Sequence, residues 1–212
     1  VHDLYIDPGD TAGAADGDKV AARMTDWPSR HLSPEGEVVE ILGRAGRPEV
    51  DTLAAVRQYD LREEYPEDVC REAEAAPDRV DAAARQGRKD LRDLVCFTID
   101  PDDARDFDDA VSLEKTREGN WRLGVHIADV SHYLPPGSAL EREARERGTT
   151  VYLPARALHM LPPRLSTGIL SLRPDEERLT KTVFITYDPE GKRLNYRFYR
   201  SVIRSRRRFT YR

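Results

Sequence analysis

The segment Val95–Leu113, VCFTIDPDDARDFDDAVSL, decides the fold and the chemistry expected of this 212-residue chain. Val95–Ile99 and Asp109–Leu113 are rich in apolar residues, as expected of buried strands. Pro101 lies between them and argues against one continuous strand. The pattern therefore predicts two strands joined by an acidic loop.

That loop contains most of the six aspartates found within ten residues, DPDDARDFDD. A straight strand would hold Asp100 and Asp108 about 26 Å apart, too far for one ion. A loop between two strands brings Asp100, Asp108 and Asp109 together, with Asp106 on the loop. At about 5 Å and an effective dielectric near 20, each pair of carboxylates repels by about 3 kcal/mol.

A divalent cation is the simplest remedy for this repulsion. An all-oxygen ligand set favours Mg²⁺ or Mn²⁺ over zinc. An EF-hand does not fit, because Arg105 stands where its loop requires glycine. The alternative is an exposed acidic turn that binds no ion.

Composition excludes several classes of protein. The chain is 39% hydrophobic and 34% charged with a formal net charge of −5, which is compatible with buried cores beneath a very polar surface. The sequence has no apolar run of 18 residues, so no membrane span is expected. Cys70 and Cys96 are too few for a disulfide framework, and Val1 begins no signal peptide, so we expect a cytoplasmic protein.

Charge is distributed unevenly along the chain. No acidic residue follows Glu190, whereas lysine and arginine are frequent after it. An acidic cluster and a basic tail in one chain are typical of a protein that acts on a polyanion with a bound metal ion. A solvated, charge-rich surface is an equally good interpretation of the charge pattern alone. Because the sequence lacks an initiator methionine and stops within the basic tail, we expect a piece of a longer protein.

The pattern of predicted elements divides the chain into three parts with a mixed α+β character. Residues 1–49 contain short strands at Val1–Ile6, Lys19–Thr25 and Glu37–Leu42. Residues 50–93 are alanine-rich, and we expect a helical linker with little core, whose helices span Asp51–Val56, Pro66–Ala75 and 77–86. Residues 94–212 are more hydrophobic. They add a strand at Trp121–Ile127, a capping box at Ser138–Glu141 that opens a helix ending at Gly148, and strands Lys181–Tyr187 and Arg193–Ile203 around a turn at Asp188–Gly191.

Four blocks of sequence closely resemble successive motifs of the RNase II/RNase R family catalytic (RNB) domain. They are TIDPDDARDFDDAV (Thr98–Val111), GVHIADVSHYLPPGSALEREARERGTTVYLP (Gly124–Pro154), MLPPRLSTGILSLRPDEERLT (Met160–Thr180) and SVIRSRRRFTY (Ser201–Tyr211). The lead-in Asp90–Leu94 is more similar to RNase R than to RNase II. Residues 1–49 resemble, more weakly, the latter part of a second cold-shock OB domain. The resemblance implies a partial OB-like β-barrel segment, a helical linker and the N-terminal half of an RNB-type α/β catalytic domain.

The resemblance also implies an activity, namely processive 3′→5′ hydrolysis of single-stranded RNA to nucleoside 5′-monophosphates with Mg²⁺, or Mn²⁺ in its place. By motif, Asp100 and Asp109 match direct metal ligands. Asp108 matches the least tolerant position of the family, where it would hold metal and attacking water, and Asp106 completes the site. Two ions about 3.5–4 Å apart would serve the nucleophile and the leaving group.

The same resemblance assigns RNA contacts. Tyr152 matches a tyrosine that stacks on bases near the 3′ end, although the local pattern alone favours a tyrosine facing the core. Tyr211 matches a tyrosine near the reacting phosphate that helps to select RNA over DNA. Arg206, Arg207 and Arg208 are candidates for phosphate contacts or for a solvated strand end.

Parts of the family pattern are absent from the sequence. The remainder of the RNB domain and the S1 domain would follow as a continuation or a second chain, so we expect residues 1–212 alone to have little nuclease activity. Two other functions stay open, a non-catalytic RNA-binding module and a Mg²⁺-dependent phosphohydrolase of small esters. His126 and His132 are expected to be structural, and no catalytic role is expected of any of the five histidines. Ser166 and Ser171 lack a neighbouring base for nucleophilic chemistry.

Overall fold

The computed structural model describes residues 3–29, 31–154 and 156–211. In chain order the strands are β1 (Tyr5–Ile6), β2 (Asp18–Asp26), β3 (Glu35–Arg44), β4 (Lys89–Leu91), β5 (Phe97–Asp100), β6 (Asp109–Lys115), β7 (Trp121–Ala128), β8 (Val151–Leu153), β9 (Arg156–Leu158), β10 (Glu177–Tyr187), β11 (Arg193–Arg204) and β12 (Arg207–Thr210). The helices are α1 (Pro48–Gln58), α2 (Glu67–Ala75), α3 (Ala82–Arg85), α4 (Val130–Tyr133) and α5 (Ala139–Arg147). Sheets with few and short helices confirm the mixed α+β class.

The chain divides into two compact units, Val1–Glu64 with Val151–Leu158, and Tyr65–Thr150 with His159–Arg212. This division does not coincide with the expected boundaries at residues 49 and 93, which stay a prediction. Among the described residues, no helix combines the length and the apolar character needed to cross a membrane.

The first unit contains a three-stranded sheet of order β1-β3-β2. β1 runs parallel to β3, and β2 runs antiparallel to it. Within the described residues this sheet is open, as expected of part of a barrel. Val1 and His2, the first two residues of the strand expected at Val1–Ile6, lie outside the described residues. β8 and β9 form a separate antiparallel pair in the same unit.

The helices of residues 50–93 differ in detail from the prediction. α1 begins at Pro48 after Arg47 rather than at a cap from Asp51, because proline is preorganised for the first helical position. α3 is only one turn long and is capped by Asp81, whose side chain accepts a hydrogen bond from the Ala84 amide. The expectation of little core also does not hold for α2, because its buried residues Val69 and Ala73 pack in the larger hydrophobic cluster of the second unit.

The second unit is built on a seven-stranded sheet of order β12-β5-β6-β7-β10-β11-β4. β10 and β11 form the predicted long hairpin, whose turn ends at Gly191 with a φ of 84°. β12 pairs parallel with β5, and β4 pairs parallel with β11, so both edges join segments distant in sequence. The fully buried Leu165, Leu172 and Ile203 lie in the cores of this unit.

A row of buried polar side chains crosses the middle of the sheet. His126 Nε2 lies 3.0 Å from Ser112 Oγ, and His126 Nδ1 lies 2.8 Å from Thr182 Oγ1. Thr182 Oγ1 in turn lies 2.6 Å from Ser201 Oγ. Gly124 leaves the space for this row, because a Cβ there would lie 2.3 Å from Ser112 Oγ. His126 is therefore structural, as expected.

The N-terminus of α5 has the predicted cap at Ser138 and adds a partner from α2. The reciprocal half of the capping box is not formed, because the Ser138 amide donates to the Pro135 carbonyl instead of to Glu141. Ser138 Oγ accepts a hydrogen bond from the Glu141 amide at 3.1 Å. The carboxylate of Glu72 accepts hydrogen bonds from the amides of Ala139 and Leu140, both at 2.9 Å. These contacts satisfy amides that a helix start leaves without partners, and α5 ends at Gly148 as predicted.

Candidate functional site

The acidic loop joins β5 to β6, as the sequence predicts. β5 and β6 pair antiparallel at Phe97 and Val111, so the chain between them turns back on itself. Asp100 is the last residue of β5 and Asp109 is the first residue of β6. This arrangement places the acidic residues of the loop at one end of the two strands.

The backbone on both sides of Asp106 is held by a segment from much later in the chain. Ser171 Oγ donates a hydrogen bond to the Arg105 carbonyl at 2.8 Å and accepts one from the Phe107 amide at 3.1 Å. The Leu172 amide donates to the Phe107 carbonyl at 2.9 Å. Ser171 is fully buried, so these contacts are shielded from water. The loop is therefore fixed where its acidic residues meet.

The four predicted aspartates interact electrostatically. Burial raises the pKa of Asp100 above its usual range, against an opposing contact from Thr98, and the negative charges of Asp109 and Asp106 add to the effect of burial. Asp108 is accessible to solvent but crowded by protein on its other side. This partial desolvation, followed by the charges of Asp106, Asp109 and Asp100, raises its pKa as well. The carboxylates are thus close enough to oppose one another's ionisation.

The donor chemistry of the loop fits a hard divalent cation. Asp100 Oδ2 is buried and has no hydrogen-bond partner, so it is an acceptor that the protein leaves unsatisfied. His159 Nδ1 is also buried without a hydrogen-bond partner and lies 3.8 Å from Asp106 Oδ2. Among residues 3–29, 31–154 and 156–211, however, no three acidic, histidine or cysteine side chains form a ready-made metal-binding group.

Strand β12 lies beside this loop in the sheet. Thr210 pairs with Asp100, so Tyr211 follows directly at the same end of the strands, with 73% of its surface exposed. Arg208 donates a hydrogen bond to the Pro101 carbonyl, and its guanidinium lies 5.2 Å from the centroid of the Phe107 ring. Arg208 thus holds the loop in addition to any contact with RNA.

The remaining predicted RNA contacts lie at the surface. Arg206 is exposed, and its side chain donates a hydrogen bond to the Arg92 carbonyl at 3.3 Å. Arg207 is also exposed, and its guanidinium lies over the Phe209 ring. Tyr152 lies in β8 of the first unit and is 68% exposed. That exposure excludes the core-facing tyrosine favoured by the local pattern.

Two residues of this site were not found from the sequence. From its sequence context Ser171 is at most a candidate nucleophile, but the structure shows that its side chain holds the loop. The sequence assigns no role to His159, but its ring faces Asp106. No local pattern distinguishes either residue, because both contacts join segments more than fifty residues apart.

Two known protein families match parts of this chain. Residues 88–212 match the RNB domain, and residues 1–66 match the Cold shock domain. The RNB match covers more than half of the chain. The chain belongs to the RNB family. This finding confirms the resemblance to the RNase II/RNase R family that the sequence blocks carry.

Curated relatives with this RNB region are named Ribonuclease R. The protein of Thermotoga maritima is 48% identical over 212 residues, which cover 99% of this chain and 30% of the relative. The Aquifex aeolicus protein is 42% identical over 210 residues, again 99% of this chain and 30% of the relative. The chain thus spans about a third of the length of these relatives, and they support the assignment nearer to RNase R.

A solved RNB-family structure shows the same fold. Mycoplasma genitalium RNase R in complex with ribose methylated single-stranded RNA superimposes with a TM-score of 0.83 at 27% identity. The match covers 99% of this chain and 33% of that chain.

Proposed function

We propose that this chain supplies the metal-binding part of a 3′→5′ exoribonuclease that degrades single-stranded RNA processively to nucleoside 5′-monophosphates. The observation that carries the proposal is the loop of mutually repelling carboxylates, with Asp100 Oδ2 buried and unpartnered, in a chain of the RNB family. Relatives named Ribonuclease R, and an RNase R that binds single-stranded RNA, support the substrate class.

Mg²⁺, or Mn²⁺ in its place, would be held by the four aspartates. When bound, divalent ions neutralise charge on the scissile phosphate and provide a hydroxide at neutral pH. Asp100 and Asp109 would be the direct ligands of the first ion. Asp108 would orient the attacking water as well as bind metal, and Asp106, held by the Ser171 contacts, would complete the site.

The aromatic residues would position the RNA. Tyr152 would stack on a base near the 3′ end, which is sequence-tolerant and contributes about 1–3 kcal/mol per base. Tyr211, next to the residue that pairs with Asp100, would lie near the reacting phosphate and help to select ribose. Arg206 and Arg208 would add contacts to phosphate groups.

The proposal also covers the domain division, the missing domains and the cellular compartment. The three-part division at residues 49 and 93 is proposed as the functional division of the chain. The remainder of an RNB domain and an S1 domain would complete the channel, so residues 1–212 alone would have little activity. Cys70 and Cys96 are free thiols, which suits a reducing cytoplasm.

A cleavage assay tests the activity. A 5′-labelled single-stranded RNA is incubated with Mg²⁺ and a longer polypeptide, which contains this chain and is as long as the relatives named Ribonuclease R. We expect a ladder that shortens from the 3′ end. In Asp108→Asn the rate of cleavage should fall by about 10³-fold. Asp103→Asn, an exposed aspartate of the same loop, is the matched control and should retain the ladder.

The alternatives give different results in the same assay. RNA that is bound but left intact by the unsubstituted polypeptide would indicate a non-catalytic RNA-binding module. Turnover of nitrophenyl phosphate without RNA cleavage would indicate a phosphohydrolase of small esters. Efficient digestion by the 212-residue chain alone would contradict the need for a complementary part.

Metal binding has a separate test that does not depend on cleavage. Isothermal titration of Mn²⁺ into the 212-residue chain should show binding that is lost in Asp109→Asn and kept in Asp103→Asn. Equal binding by both variants would refute the assignment of Asp109 as a ligand.

A further inference from the structure

The second unit has an open cavity of about 400 Å³ away from the acidic loop. It is lined by Asp129, Ser131, His132, Pro135, Lys181 and Arg200. Lys181 of β10 and Arg200 of β11 are direct partners across the hairpin. Like charges directly opposite one another destabilise a sheet, so this pair needs a compensating negative charge.

The protein supplies only part of that compensation. Among the described residues that line the cavity, Asp129 is the one carboxylate, and its Oδ2 lies 2.7 Å from Nη2 of Arg88, whose side chain is fully buried. Its Oδ1 lies 3.6 Å from Lys181 Nζ. Among the residues that the structure describes, the Arg200 guanidinium has neither a hydrogen-bond nor an ion-pair partner. One carboxylate therefore faces three cations.

The positive charges around the cavity also act on His132. Desolvation and then the charge of Arg88 lower the pKa of His132, and Asp129 opposes them. Arg200 lowers this pKa by a smaller amount, and Asp81 opposes it by a still smaller one. An anion in the cavity would relieve this field. A guanidinium beside an ammonium group is a typical donor set for a phosphate.

The cavity lies on the same face of the sheet as the proposed metal site. Asp109 is opposite Ile127, Ile127 is opposite Lys181, and Lys181 is opposite Arg200, so the four residues form one row across four strands. Neighbouring strands are about 4.8 Å apart, which places Arg200 about 14 Å from Asp109 along this row. That distance is within reach of a short oligonucleotide.

We propose that Lys181 and Arg200 bind a phosphodiester group of the RNA strand, upstream of the linkage that is cleaved. The inference rests on the proposed function, because it takes RNA as the ligand. It adds a second anchor to the strand, separate from the metal site and made of residues on β10 and β11.

The test measures RNA binding by fluorescence anisotropy with the 212-residue chain in EDTA, where no metal-dependent cleavage occurs. Arg200→Gln should raise Kd by about 5- to 20-fold and reduce the salt slope of binding by about one. Arg197→Gln is the matched control, since it removes the same charge from the same strand but from the opposite face, and it should change Kd by less than about twofold.

Two further measurements separate a specific contact from general effects. Thermal unfolding of Arg200→Gln should occur at an unchanged or higher temperature, because cross-strand repulsion is removed. In RNAs that carry one neutral methylphosphonate at successive linkages, the loss caused by Arg200→Gln should disappear at one linkage.

The outcomes distinguish this inference from the proposed function. Equal effects of Arg200→Gln and Arg197→Gln, or the same loss at every methylphosphonate position, would overturn the phosphate contact even if the cleavage ladder is seen. Absence of the ladder would overturn the exonuclease, but a linkage-specific effect of Arg200 would still establish the contact.

Discussion

Two carboxylates of the second unit, Asp129 and Asp100, differ in how far the protein compensates their negative charge. Asp129 is 2% exposed, and burial alone would raise its pKa. The ion pair with Arg88, a hydrogen bond from Ser131 and the charge of Lys181 outweigh burial, so its pKa is lowered. The protein itself neutralises this carboxylate.

Asp100 receives no such complete compensation. Its pKa is raised by burial and by neighbouring aspartates, with Thr98 and Arg208 opposing in part, and its Oδ2 has no hydrogen-bond partner. A buried charge that is satisfied within the chain is structural, whereas one that is left unsatisfied points to a ligand from outside. The comparison thus separates the two acidic residues by role, although both are aspartates at strand ends.

Removing Asp129 should have the largest effect on stability. Asp129→Asn leaves Arg88 buried without its counter-charge, and we expect the free energy of unfolding to fall by about 3–5 kcal/mol. Urea unfolding followed by circular dichroism measures the change. Asp103→Asn is the control and should alter stability by less than about 0.5 kcal/mol. A loss below about 1 kcal/mol for Asp129→Asn would mean that the pair is not the structural charge described above.

His126 is a third buried titratable group, and both of its ring nitrogens have hydrogen-bond partners while the ring is neutral. Burial lowers its pKa to about 4. Because the unfolded chain takes up this proton near pH 6.5 and the folded chain does so only near pH 4, the stabilisation is complete above pH 6.5 and is lost as the pH falls toward 4. The expected loss is about 3 kcal/mol.

Urea unfolding between pH 7 and pH 4 measures this loss, and His126→Gln should remove that part of the pH dependence. If the variant does not fold, an NMR titration of the His126 ring gives the pKa directly. A ring that titrates near pH 6.5 in the folded chain would contradict the prediction.

Local sequence patterns were sufficient for features made by residues near one another in the chain. The Asp100–Asp109 loop follows from two apolar runs and Pro101, and the hairpin follows from its Asp-Pro-Glu-Gly turn. The cap of α5 follows from Ser138 and Glu141, although its second partner, Glu72, does not.

Contacts between distant segments were not predictable in the same way. The parallel pairing of β12 with β5 brings Tyr211 to the acidic loop, but nothing in either segment specifies a partner more than a hundred residues away. Ser171 and His159 reach the loop through the same kind of tertiary packing. The residue types of the site could therefore be predicted, while the residues that hold them could not.

Ser171 tests whether the acidic loop depends on that distant support. Ser171→Ala removes a donor to Arg105 and an acceptor for Phe107, and it should lower the free energy of unfolding by about 1–3 kcal/mol. Hydrogen exchange of the Phe107 amide should become faster, and Mn²⁺ affinity should fall. Ser166→Ala is the matched control, because the hydrogen bond from Ser166 Oγ to the Pro162 carbonyl is long, at 3.5 Å. An unchanged exchange rate at Phe107 would show that the loop does not need Ser171.

The smallest expected effect is also the sharpest contrast with Asp129. Asp108→Asn removes one of the mutually repelling charges, so without metal it should raise the free energy of unfolding, by about 0.5 kcal/mol because Asp108 is accessible and its interactions are screened. Adding Mg²⁺ should reverse the order, since ligand binding stabilises only the chain that binds: at ten times Kd the unsubstituted chain gains about 1.4 kcal/mol. Thermal unfolding of both chains with EDTA and with Mg²⁺ measures this reversal. If Asp108→Asn destabilises the chain in EDTA as Asp129→Asn does, the two carboxylates have the same structural role and the distinction between them is wrong.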